Sequence, residues 1–208
     1  IIGNDVAGLR RPIQAAAAFH ERGAGFDNSD ALLWSGRGDG EGTFWNDVKA
    51  MSNRLDDTTT ITRFRGKDYA SSAELLPVIQ ENSIGQDWII YRGHGARTGF
   101  GHNNDHAIFS TDVPSLDLRS RPVVMALACS TGDYAGGTGG IAETFLQEGA
   151  AIFIGSVETS SRSRNSDAAR AFFNRWHSGR SVGDTLFDLM RDKWGNSSWF
   201  WPDFTTWE

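Results

Sequence analysis

Asp87-Trp88-Ile89-Ile90-Tyr91-Arg92-Gly93-His94-Gly95 is the stretch whose reading decides the fold. Its apolar run is short, rich in branched and aromatic residues, and closed by glycine, as expected of a strand buried on both faces of a parallel sheet. Thirty-five positions after His94, Pro122-Val123-Val124-Met125-Ala126-Leu127-Ala128-Cys129-Ser130 repeats the pattern and delivers the only cysteine of the chain. In open α/β sheets, reactive groups gather beyond the carboxyl ends of the strands. Two neighbouring strand ends would present His94 and Cys129 on one rim, as a proton-transfer partner and a nucleophile.

Outward from these runs, strands alternate with helices. Leu9 to Arg22 has a modest helical face, with Gly23 as its stop. Ala31 to Ser35 reads as a strand, Gly36 to Gly42 as a glycine-rich loop, and Phe44 to Leu55 as a helix. Thr58 to Phe64 is a second strand, and Ser71 to Glu81 a helix carrying Leu75, Leu76 and Ile79. A polar excursion, Arg97 to Asn104, follows His94. A glycine-rich loop, Gly132 to Gly140, follows Cys129; next come a helix over Ile141 to Gln147 and a buried strand over Ala150 to Gly155. Helices over Ser166 to Trp176 and Val182 to Lys193 complete the pattern. The alternation predicts an α/β fold with a mostly parallel sheet flanked by helices, in a single domain over 1–208. Trp194, Trp199, Phe200, Trp201, Phe204 and Trp207 crowd the segment 194–208, which reads as an aromatic flap over an exposed edge or a neighbouring domain.

Composition narrows the function classes. The 208 residues carry a net charge of −6, which argues against a dedicated nucleic-acid binder. No run approaches the roughly 18 to 20 apolar residues of a membrane span. One cysteine forbids an internal disulfide. A lone free cysteine is most often a small buried hydrophobe, and a lone turn histidine is most often only hydrogen-bonded. Their paired placement at two strand ends is what favours chemistry. Cys129 would attack a carbonyl as its thiolate, and His94 would protonate the leaving amine. The N–H groups of Gly95 and Cys129 are the candidates for the oxyanion.

Tyr91-Arg92-Gly93-His94-Gly95 resembles the Tyr-x-Gly-His-Gly of the gingipain family of cysteine peptidases (C25), within the caspase-like superfamily (clan CD). Ala128-Cys129-Ser130-Thr131-Gly132-Asp133-Tyr134 resembles that family's Ala-Cys-x-x-Gly-Asp-Phe. Ile141 to Leu146, followed by Gly149 to Ser156, resembles the helix and strand after the family's nucleophile. The resemblance spans about Ala31 to Arg191. It implies a caspase-like three-layer sandwich and a Cys-His dyad endopeptidase acting on polypeptides, with no cofactor for the chemistry. Members are usually secreted, so an extracellular or cell-surface location is implied; some carry structural calcium. Some act as transpeptidases through the same acyl-enzyme, and a silent binding module on the same fold is the remaining alternative. Against the family's length, this chain is expected to be an excerpt of a longer multidomain protein that stops before the last catalytic strand and an immunoglobulin-like domain.

Specificity is open at this level. Relatives that cleave after arginine or lysine use an acidic residue upstream of the histidine, and Asp39, Glu41 and Asp47 occupy that region. Glu158 to Arg164 takes the place of a pocket wall, and its Arg162 and Arg164 would instead favour an acidic side chain by paired guanidinium contacts. Charged loop residues are also commonly just solvated. His102 and His106, with Asn103, Asn104 and Asp105, read as a polar loop beside His94. The group lacks the further ligands of a transition-metal site, and its spacing matches no calcium loop.

Overall fold

The computed structural model describes residues 6–21, 30–55, 59–101, 108–135, 139–177, 180–193 and 204–207. Its main sheet is built from β1 (Asp30–Ser35), β2 (Thr60–Arg65), β3 (Trp88–Arg92), β7 (Val123–Leu127), β8 (Ile152–Ser156) and β9 (Phe204–Trp207), in the order β2-β1-β3-β7-β8-β9. The first five strands run parallel, and β9 joins β8 antiparallel. Successive side chains of a strand point to opposite faces, so each buried run feeds two cores. Leu32, Trp34, Ile89, Tyr91, Val124, Ala126 and Phe153 pack with α3 (Ser72–Asn82) and α4 (Ile141–Glu148). Ala31, Leu33, Trp88, Ile90, Met125, Leu127 and Ile154 pack with α2 (Glu41–Ser52), α5 (Arg162–Phe173) and α6 (Val182–Lys193). The result is the expected three-layer α/β sandwich. A further helix, α1 (Val6–Glu21), is tied to α4 by the Arg11–Glu148 ion pair at 2.8 Å.

Three departures from the sequence reading matter for the site. The glycine-rich loop after β1 is shorter than expected, because α2 begins at Glu41 behind Gly40, whose φ of 91° needs a residue without a Cβ. The polar excursion after His94 folds into a small antiparallel sheet of β4 (Gly95–Ala96), β5 (Gly99–Phe100) and β6 (Ile108–Phe109). Helix α5 begins at Arg162, capped by the Ser161 hydroxyl, so Arg162 and Arg164 belong to its first turn and not to a loop. A strand does follow α6: residues 204–207 of the aromatic segment pair with β8, whereas 194–203 lie outside the described residues. Among the described residues no helix is long and apolar enough to cross a membrane.

Phe100 pins the small sheet to the main core. It is fully buried, stacks on Tyr91 at 4.7 Å between ring centroids with planes 5° apart, and lies 5.7 Å from the Phe145 ring. Tyr91 in turn donates its hydroxyl proton to the His94 carbonyl at 2.8 Å. Truncation leaves a cavity that close-packed neighbours cannot fill, so Phe100→Ala is expected to lower stability by about 3–5 kcal/mol. Chemical denaturation monitored by circular dichroism would measure it, and a loss below about 1 kcal/mol would contradict this packing role.

Candidate active site

Parallel pairing places Ser35, Arg92 and Leu127 side by side. His94 and Cys129 therefore follow their strands at the same distance in sequence, two residues beyond adjacent ends. The Gly36–Gly40 loop leaves β1 on the same rim. A Cβ at Gly95 would come within 2.7 Å of the Cys129 carbonyl oxygen and 2.8 Å of the Ala128 Cβ, so the His94 turn lies directly on the Cys129 segment and has room only for glycine. Gly101 N–H donates to the His94 carbonyl at 2.7 Å, which makes His94 the bonded position of the β4–β5 ladder and turns the Gly95 N–H away from β5.

Cys129 stands on a sharp, stitched turn. The next residue, Ser130, has φ 53°, a left-handed conformation that non-glycine residues seldom adopt. Its N–H donates to the Glu158 carbonyl at 2.9 Å, and Gly132 N–H donates to the Ser156 carbonyl at 2.8 Å. These bonds hold the turn against the segment leaving β8. The half-buried thiol donates to the Ser160 carbonyl at 3.2 Å, one residue before the cap of α5.

The His94 side chain meets an aromatic ring and a carboxylate. Its ring meets Phe44 edge-on at 5.2 Å, and its Nε2 lies 2.8 Å from Asp39 Oδ1 and 3.1 Å from the Asp39 carbonyl oxygen. Asp39 is also paired with the Arg162 side chain. The Arg162 guanidinium, then His94, hold the Asp39 carboxyl below the usual carboxylate range.

The other expected substrate residues separate. Glu41 takes Arg65 and Lys67, at 2.5 and 3.2 Å, and so faces β2. Asp47 is fully buried and accepts from Arg92 Nε at 2.9 Å, so it is a core ion-pair partner and not a pocket residue open to substrate. Glu158 lends its carbonyl to the Cys129 turn while its side chain is exposed. Arg162 and Arg164 open α5 beside it. Reading the sequence missed Arg92 and Phe44. The signal for Arg92 was present: a cation ending a strand that is otherwise apolar requires a buried partner. Among the described residues no group of three or more His, Cys, Asp or Glu side chains could hold a metal ion. The loop with His102, Asn103, Asn104, Asp105 and His106 lies outside the described residues.

Comparison with known proteins agrees with this architecture. A family model described as peptidase family C25 matches residues 16–205. The fold is similar to that of the Arg-specific cysteine proteinase gingipain R, with TM-score 0.64 and 15% identity, over 99% of this chain and 56% of that one. A structure described only as a protease gives TM-score 0.70 and 12% identity over 98% of this chain and 52% of its own. Separase in the Saccharomyces cerevisiae separase–securin complex gives 0.58 and 15%, over 86% and 12%. The chain thus spans about half the length of the first two. A search of curated protein sequences finds no match.

The Asp39 contacts carry a pH signature. A carboxyl whose folded pKa is depressed stabilises the protein above its unfolded value and loses that contribution as pH falls through the folded one. Wild type is therefore expected to melt above Asp39→Asn at pH 6, with the gap closing as pH drops below about 4. Parallel melting curves from pH 7 to pH 2 would check this; a gap that widens in acid would contradict it.

Proposed function

The chain belongs to peptidase family C25, and on that basis we propose that it is a secreted cysteine endopeptidase that cleaves polypeptides through Cys129 and His94. The observation that carries the proposal is the register of β3 and β7, which sets the histidine and the single cysteine two residues beyond adjacent parallel strand ends. In this reading the Cys129 thiolate adds to the scissile carbonyl carbon, and the carbonyl π electrons move to oxygen. The N–H groups of Gly95 and Cys129 receive that oxyanion. Collapse breaks the C–N bond, and His94 gives its proton to the departing amine. Water then attacks the thioester, His94 takes its proton, and the thiolate leaves.

Asp39 has the orienting role. With Nε2 engaged by Asp39, Nδ1 becomes the nitrogen that exchanges protons with the substrate. Glu158, Arg162 and Arg164 belong to the segment whose Ser160 carbonyl touches the thiol, and they are the residues proposed to border the subsite for the side chain before the scissile bond. Export from the cell is part of the proposal and rests on the family resemblance alone.

The test is intact-mass labelling with peptidyl chloromethyl ketones ending in arginine, lysine, aspartate or alanine. Wild type is expected to gain one adduct, on Cys129, from one or two members of the panel, and Cys129→Ala none. His94→Ala should slow peptide cleavage by about 100-fold or more, and Asp39→Asn by less. Peptidase activity that survives in Cys129→Ala would rule the mechanism out.

A further inference from the structure

Arg92 immediately precedes the Gly93-His94 turn, and its side chain is fully buried. A guanidinium offers five N–H donors in a rigid fork, and left without acceptors in a core it is strongly destabilising. Here the fork is used in four directions. Nε donates to Asp47 Oδ2 at 2.9 Å, Nη1 to the Leu127 carbonyl at 3.1 Å, and Nη2 to the Arg162 carbonyl at 3.0 Å and to Ser166 Oγ at 3.3 Å. Ser166 also donates to Asp47 Oδ2 at 2.6 Å, closing the ring of contacts.

The partners are what give the cluster meaning beyond packing. Leu127 lies two residues before Cys129, and its carbonyl also receives the Gly93 N–H at 3.5 Å. Arg162 is the first residue of α5, and its side chain reaches Asp39, which holds His94. The Arg92 guanidinium carbon lies 4.7 Å from the centroid of Phe44, the ring on which His94 rests, and that of Arg162 lies 5.9 Å from the same centroid. Burial pulls the Arg92 guanidinium below its ordinary value, and Asp47 opposes the shift.

We propose that Arg92 is a positioning residue for the cysteine–histidine chemistry: one buried fork fixes the end of β7 that carries Cys129, the start of α5, and the Phe44 platform of His94. The role rests on the peptidase reading, because it has content only if His94 and Cys129 act together. An apolar residue could fill the same space and often does so without loss of stability. It could not bind the Leu127 and Arg162 carbonyls at once.

The test compares wild type with Arg92→Lys, which keeps the charge without the fork, and with the combined Arg92→Met, Asp47→Leu and Ser166→Ala variant, which replaces the cluster by apolar groups. Each is measured well below its own melting transition. Two reagents are used: iodoacetamide at about pH 9.5, where an accessible thiol ionises without help from a histidine, and the peptidyl chloromethyl ketone that labels wild type best, which also needs the aligned histidine and cleft. Both variants are expected to react with iodoacetamide at close to the wild-type rate and to lose about tenfold or more in chloromethyl ketone labelling. In peptide cleavage kcat is expected to fall with KM little changed, with Arg92→Lys less impaired than the combined variant. If the combined variant does not fold, Arg92→Lys alone decides the matter by the ratio of the two labelling rates. A wild-type ratio in a folded variant overturns the positioning role and leaves the peptidase reading intact. Failure of wild type to label with any chloromethyl ketone overturns both.

Discussion

The parallel register of β3 on β7, with Arg92 opposite Leu127, is the constraint on which the rest of this structure depends. Slipping a strand by one residue would exchange its two faces. Ile89, Tyr91, Val124 and Ala126 would then leave the core shared with α3 and α4, and Trp88, Ile90, Met125 and Leu127 the one shared with α2 and α5. Because both faces are filled by large side chains, from Trp34 and Phe153 on one side to Phe172 and Trp176 on the other, that slip would misfit both cores at once. Two independent cores therefore enforce one register. The register in turn sets where the chain leaves the sheet, and so where His94 and Cys129 emerge. The alignment of His94 with Cys129 is a consequence of packing far larger than any contact they make themselves.

How far the sequence discloses this follows from the strength of each signal. Buried parallel strands are legible because both their faces are apolar, and Trp88 to Tyr91 and Val123 to Ala128 could hardly be anything else. Helix stops at glycine were equally clear, as at Gly149, whose φ of 120° ends α4. The small sheet after His94 was not legible. Its strands are two residues long, and what fixes them is the tertiary stacking of Phe100 on Tyr91, which no local periodicity records. The start of α5 was missed for a related reason. Arg162-Ser163-Arg164-Asn165 has no apolar stripe, and the helix begins there because Ser161 caps it and the Arg162 carbonyl has a buried donor in Arg92. In the sequence, strand β9 reads as part of a flap, because the crowding of aromatic residues in that segment shows no strand alternation.

The site shows the same division. His94 and Cys129 could be selected because strand ends collect chemistry and few residue types perform it. The acidic residues could not be sorted, since Asp39, Glu41 and Asp47 are equivalent as letters on a glycine-rich segment and its helix. Folding gives each different cations: Arg162 with His94 for Asp39, Arg65 and Lys67 for Glu41, and Arg92 with Arg170 for Asp47. What distinguishes them is depth. Asp47 faces inward from α2 beside Val48 and Met51, whereas Asp39 precedes the helix and is 79% exposed at its side chain. Charge pairing across the sheet, not local sequence, decides which carboxylate reaches the histidine.

This arrangement layers its electrostatics by solvent access. The Arg92–Asp47 pair is dry, so its strength depends little on salt, and its geometry is fixed by Ser166 and two backbone carbonyls. The Arg162–Asp39 pair lies in the outer layer, where Arg162 is 46% exposed and water screens it. The proposed reaction, in which His94 takes up and gives back a proton, would gain from that gradation. A rigid inner layer holds the platform of Phe44 beneath the ring, while the exposed outer carboxylate can respond to the charge on the imidazole without a buried ion being left unpaired. Interchanging the layers would put the responsive carboxylate in the core, where each protonation change of the histidine would have to be met by desolvated charge. The placement of Asp47 inside and Asp39 outside thus lets one fold keep a fixed frame and an exposed, responsive carboxylate within the first two turns of α2 and the loop before it.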